Sequence, residues 1–70
     1  MGDGDLIRLP VVNDIPEIVE LSRSAIERAS WSPTVDGYAE IALTLKNGSL
    51  LIHKVERHTA IRACREIMTR

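Results

Sequence analysis

Cysteine is almost missing from this chain of 70 residues: Cys64 stands alone. A single cysteine excludes an internal disulfide framework. Paired Cys and His at zinc-site spacing are also missing, so no structural metal site is expected. Phenylalanine is absent, and Trp31 and Tyr38 are the only large rings. The core must therefore be aliphatic, with little ring area for stacking nucleotides or bases. No apolar run approaches the roughly 20 residues a membrane-spanning helix needs. Met1-Gly2-Asp3-Gly4-Asp5 is acidic and polar. It lacks the basic-then-apolar build of a secretion signal, and Leu6 breaks the myristoylation pattern. A cytoplasmic location is the expectation that remains, with no membrane partner.

What is present fits one small domain. Residues 1–5 read as a flexible N-terminus and residues 6–70 as a single α+β domain. A domain this small buries only about 60% of the surface of its unfolded chain, so its stability is marginal without help. Disulfide and metal being excluded, that help comes from well-ordered packing or from self-association. The hydrophobic share of 44%, with 27% charged, is that of a folded soluble domain rather than a disordered chain. The net charge of -1 conceals an uneven distribution. Residues 1–45 carry three Lys/Arg and eight Asp/Glu, a net of -5, whereas residues 46–70 carry six and two, a net of +4. Such halves attract each other within one chain or between two copies, and the basic half also suits an acidic partner.

Along the chain, Leu6 to Val12 reads as a short strand with Ile7, Leu9 and Val11 on one face. Pro10 cannot donate to a ladder and so marks an edge. Asn13-Asp14-Ile15-Pro16-Glu17 has the chemistry of a helix start: a capping Asp14, a first-turn Pro16, and Glu17 closing an Asp-x-x-Glu box. Ile15, Ile18, Val19, Leu21, Ala25, Ile26 and Ala29 then recur at helical spacing, which predicts a helix to about residue 29. Ser30 to Gly37 reads as a loop. Asn47-Gly48 between alternating apolar residues predicts a β-hairpin over Tyr38–Val55. A two-residue turn would oppose Leu45 with Leu50 and Leu43 with Ile52. The inner face is then Ile41, Leu43, Leu45, Leu50 and Ile52. The outer face carries Glu40, Ala42, Thr44, Leu51, His53 and Val55. Glu56 to Arg70 predicts a second helix, with Ala60, Ala63, Cys64, Ile67 and Met68 as a narrow apolar stripe, Ile61 at its margin, and Arg70 suited to its C-terminal end. The expected fold is a small two-layer α+β domain in (β)αββα order, an antiparallel hairpin packed against two helices.

Ile7-Arg8 followed by Asp14, Ile18 and Leu21 resembles the opening strand and helix of the GNAT-type acetyltransferases over about residues 6–26. The resemblance implies a strand running into a capped helix. That family's Gly-rich turn for the cofactor pyrophosphate has no counterpart here, so no cofactor is expected and no residue takes a family role.

Four groups of residues bear on function. The half-apolar outer face (Ala42, Leu51, His53 and Val55), with Trp31 and Tyr38, forms the expected partner-binding set; Trp31 has a second, favoured reading, in which it closes the end of the aliphatic core. Lys54, Arg57, Arg62 and Arg65 form the set through which a basic last helix would meet nucleic acid. His53, His58 and Cys64 are the only soft metal ligands, but six helical positions between His58 and Cys64 turn them apart. Glu40 and His53 are expected as diagonal neighbours on the outer face, an ordinary cross-strand pair with no nucleophile beside it. The expected function is a non-enzymatic protein-interaction or regulatory module that acts as a homo-oligomer, most simply a homodimer. Its alternative is a nucleic-acid-binding regulator using the basic helix.

Overall fold

A computed structural model describes residues 6–15 and 17–68. The flexible start read at residues 1–5, Pro16 as a first-turn helix residue and Arg70 at the last helix end lie outside the described residues. The elements are β1 (Leu6–Val11), β2 (Glu17–Ser22), a 3₁₀ turn (Arg23–Ala25), β3 (Ile26–Pro33), β4 (Ala39–Leu45), β5 (Leu50–Val55) and α1 (Arg57–Met68). β1 and β2 form one antiparallel sheet, and β3-β4-β5 form another. The class remains α+β, but five strands and one helix replace the expected (β)αββα order with its two helices.

β1 follows its alternation: Ile7, Leu9 and Val11 are buried while Leu6, Arg8 and Pro10 are exposed. Its hairpin with β2 opposes Arg8 to Glu20 and Leu9 to Val19. Arg8 Nε and Glu20 Oε2 stand 3.0 Å apart, an exposed cross-strand pair. An ion pair of this kind contributes about 0.2–1 kcal/mol.

The expected helix over residues 14–29 is absent. Glu17, which was to close the capping box, instead pairs with Val11 across the hairpin. Between Ile26 and Arg28 the β3–β4 register shifts by one residue, the signature of a β-bulge. The bulge sets the buried Ile26 and Ala29 three positions apart on one strand. That spacing imitates one turn of a helix. The strand-capped-helix grammar shared with the acetyltransferases therefore does not extend to the fold, because the segment after β1 is extended.

Both hairpins of the larger sheet use the same turn. Thr34 N–H donates to Tyr38 C=O at 2.9 Å, and Gly37 N–H donates to Thr34 C=O at 3.4 Å. Likewise Leu45 N–H donates to Ser49 C=O at 2.8 Å, and Gly48 N–H donates to Leu45 C=O at 3.0 Å. Each is a three-residue loop ending on a glycine of positive φ, +92° at Gly37 and +94° at Gly48. That is the type I turn plus bulge form. A two-residue type I′ turn requires positive φ at Asn47 as well, and no described non-glycine residue has it. Asn47 instead turns its side chain inward, and its Oδ1 accepts from Ser49 N–H at 2.9 Å.

The longer loop slips the register by one residue. Leu43 opposes Leu51, Ile41 opposes His53 and Ala39 opposes Val55. A one-residue slip exchanges the two faces of a strand. The inner face of β5 is therefore Leu51, His53 and Val55, and its outer face is Leu50, Ile52 and Lys54. This reverses the expected assignment for β5, while β4 keeps Ile41, Leu43 and Leu45 inside. The segment read as a loop at residues 30–37 is half strand: β3 runs on to Pro33, with Trp31 opposite Ile41 and Pro33 opposite Ala39, and residues 34–37 form the turn.

α1 closes the core. Ala60, Ala63 and Ile67 join Ile7, Leu9, Ile26, Ala29, Ala39, Ile41, Leu43 and Val55 in one buried cluster. The small alanines let the helix approach the sheets closely. Val19, Leu21, Trp31, Leu45, Leu51 and Cys64 pack around the cluster's margin. Each fully buried Leu, Ile or Val contributes about 1.5–3 kcal/mol relative to an exposed one. Met68, expected in the helix stripe, is 59% exposed.

Candidate interaction surfaces

The outer face of the three-stranded sheet comes first. Register places Arg28, Ser30 and Ser32 of β3, Glu40, Ala42 and Thr44 of β4, and Leu50, Ile52 and Lys54 of β5 on it. Leu50 is 58% and Ile52 55% exposed, beside the half-buried Ala42 and Thr44. A branched aliphatic strip thus lies open on β5 with polar residues of β3 on its far side.

The expected partner-binding residues disperse. Ala42 does lie on this face. Val55 is fully buried in the core, and Leu51 packs against it. His53 faces inward opposite Ile41 and is half-buried. Trp31 is half-buried against the core cluster. Glu40 and His53 stand on opposite faces of the sheet, since Glu40 pairs with Lys54.

Tyr38 belongs to a polar cluster at the β3–β4 turn. Lys54 Nζ is ion-paired with Asp36 and lies 4.9 Å from the centre of the Tyr38 ring. The Thr34 hydroxyl donates to Asp36, and Tyr38 N–H donates to Thr34 Oγ1 at 3.2 Å. Arg57 Nε donates to the Tyr38 carbonyl at 3.3 Å. The Lys54 ammonium, followed by the Thr34 hydroxyl, holds the Asp36 carboxyl down at a pKa of about 2. This cluster pins the turn to β5 and to the start of α1.

The cations expected to meet nucleic acid therefore fall into separate places. Lys54 and Arg57 are engaged in the turn cluster. Arg57 and Arg62 lie about 140° apart around α1, and Arg62 and Arg65 about 60° apart. All three arginines are exposed. His58 contacts Glu56 at 3.2 Å. Cys64 is half-buried, and burial raises its thiol pKa. The three soft ligands are not brought together, and among the described residues no group of three or more His, Cys, Asp or Glu side chains is placed to hold a metal.

A groove that sequence reasoning missed runs between β1 and α1. One cavity of about 540 Å³ is lined by Leu6–Leu9 of β1 and by Thr59, Arg62, Ala63 and Glu66 of α1. A second, of about 390 Å³, extends it past Pro10–Asn13, Tyr38, Glu56 and His58. Thr59 and Arg62 line both. The groove exists because β5 turns into α1 after Val55, so a helix occupies the place beside β1 that a strand would take. Val12 N–H donates to Lys54 C=O at 2.8 Å, the point where β1 and β5 part. Pro10 as an edge residue was its one visible sign in the sequence.

No family model, curated protein or solved structure matches the chain. No helix among the described residues is long and apolar enough to cross a membrane.

Proposed function

We propose that this chain is a small, non-enzymatic interaction module, cytoplasmic on this reading, that works as a homodimer through the outer face of its three-stranded sheet. The observation that carries the reading is the exposure of Leu50 and Ile52 on a sheet face opposite the one α1 covers. Two supports stand beside it. A 70-residue chain without a disulfide has a small core. The acidic first half and basic second half also favour an antiparallel arrangement of two copies. A standard interface buries about 800 Å² per partner. Against a total accessible surface of 4789 Å², that is about a sixth of the molecule.

Sedimentation equilibrium across the micromolar range tests the proposal. A dimer is expected for the native chain and a monomer for Ile52→Lys, whose charge would be buried without a partner. A native chain that stays monomeric throughout, with unfolding independent of concentration, refutes it.

A further inference from the structure

We infer, on the homodimer reading above, that the second copy packs on the outer sheet face with its strands antiparallel to the first, and that Arg28 of each copy pairs with Glu40 of the other. Neither edge of the three-stranded sheet suits the addition of a strand. β3, at one edge, is bulged between Ile26 and Arg28 and ends on Pro33. A bulge and a proline on an edge strand block further pairing. β5, at the other edge, is met by β1 at the Val12–Lys54 bond. What the sheet offers a second copy is therefore its outer face. The register arranges that face in three rows across β3, β4 and β5. Arg28, Thr44 and Leu50 make the first row, Ser30, Ala42 and Ile52 the second, and Ser32, Glu40 and Lys54 the third. Arg28 and Glu40 are both exposed, and neither is in an ion pair among the described residues. Lys54, opposite Glu40, gives its ammonium to Asp36 instead.

Sheets packed face to face stand about 10 Å apart, with strand directions within about 30° of each other. A two-fold axis between two copies of this face therefore runs either along the strands or across them. An axis along the strands, over β4, sets Glu40 on Glu40, Arg28 on Leu50 and Ile52 on Ser30. Like charges then meet, and the aliphatic strip faces serines. An axis across the strands, over the middle row, sets Ile52 on Ile52 and Ala42 on Ala42. The first row of one copy then lies over the third row of the other. Arg28 stands over Ser32 of the second copy, one strand and about 4.8 Å to the side of that copy's Glu40. Two long side chains bridge this gap, and symmetry forms the pair twice. Leu50 meets the aliphatic stem of Lys54, whose charged end stays with Asp36. Only the arrangement across the strands joins apolar to apolar and satisfies both Arg28 and Glu40.

Sedimentation equilibrium at low salt, on the full chain and its charge variants, tests the orientation. Arg28→Glu or Glu40→Arg alone sets like charges together at two places and weakens the dimer about tenfold or more. The double variant Arg28→Glu/Glu40→Arg remakes both pairs and restores the native dissociation constant to within about threefold. The milder Arg28→Gln and Glu40→Gln, each expected to weaken the dimer about threefold, cover the case that a reversal disturbs the fold. Three results overturn the orientation while the dimer itself stands: single variants without effect, a double variant as weak as the single reversals, or a dimer tightened by Glu40→Gln. The last is the mark of an axis along the strands, where Glu40 meets its own copy. A native chain that stays monomeric overturns the orientation and the homodimer reading together.

Discussion

Val55→Ala and Ile52→Ala separate the two possible registers of β5 by their energies. Val55 is fully buried in the core cluster. Removing two methyl-sized groups costs about 1.6 kcal/mol in transfer free energy. The cavity left behind raises this to roughly 2–3 kcal/mol. The whole chain, at typical stability per residue, has only roughly 4–10 kcal/mol. Ile52 is 55% exposed, and its truncation loses some strand preference and little burial. Its cost is about 1 kcal/mol or less. Urea unfolding followed by circular dichroism reads both. With a slope near the low end for small domains, about 1 kcal/mol per molar, Val55→Ala moves the midpoint down by about 2–3 M. In the register of a two-residue turn the order reverses, with Ile52→Ala costing roughly 2–5 kcal/mol. The measurement belongs at the lowest usable protein concentration, because any part of the Ile52 effect that arises in a dimer interface grows with concentration. A larger loss for Ile52→Ala than for Val55→Ala at high dilution refutes the register and the surface built on it.

Further outcomes follow from the turns, the ion pair and the thiol. Gly48→Ala costs about 1–2 kcal/mol from its positive φ alone, because nothing lies within 4 Å of the added methyl. D-alanine at the same position, introduced by chemical synthesis, restores native stability; an unaffected L-Ala variant contradicts the turn assignment. Asp36 has a folded pKa of about 2, below its unfolded value. Its pairing with Lys54 therefore stabilises the fold fully above the ordinary carboxylate range, and the contribution disappears as pH falls through about 2. Carboxyl ¹³C titration should show that midpoint and its return to the ordinary range in Lys54→Met; an ordinary midpoint in the native chain contradicts the cluster. Cys64, half-buried with its thiol pKa raised, reacts with iodoacetamide at pH 8 more slowly than in urea. Equal rates indicate a site open to solvent.

How much of this was legible in the sequence depended on how local each signal was. β1 and its buried Ile7, Leu9 and Val11 follow from period-two alternation, and α1 from a short stripe with alanines at its centre. The β4–β5 hairpin was visible at Asn47-Gly48, but its register was not. Whether Asn47 adopts positive φ is decided by packing of Val55 and Leu51 into a core built from β1, β3, β4 and α1. Asp36-Gly37 marked a second hairpin of the same kind, and reading residues 30–37 as a loop passed over it. The helix expected at residues 14–29 failed for a physical reason: a bulge at Ile26/Arg28 lets Ile26 and Ala29, three apart in sequence, share the buried face of one strand. Long-range pairing with β1 and β4 then overrode the capping chemistry of Asp14 and Glu17. The surfaces inherited these errors. Ala42 stayed outside, Leu51, His53 and Val55 moved inside, and Leu50 and Ile52 took their place. The β1–α1 groove depends on where β5 becomes a helix, which no local pattern records.

Isotope-filtered NOE spectroscopy on a mixture of labelled and unlabelled chains tests most directly whether the outer sheet face joins two copies. The account predicts intermolecular cross-peaks from the methyl groups of Leu50 and Ile52. Their absence at concentrations well above micromolar, or intermolecular peaks from Leu51 and Val55 in their place, contradicts it.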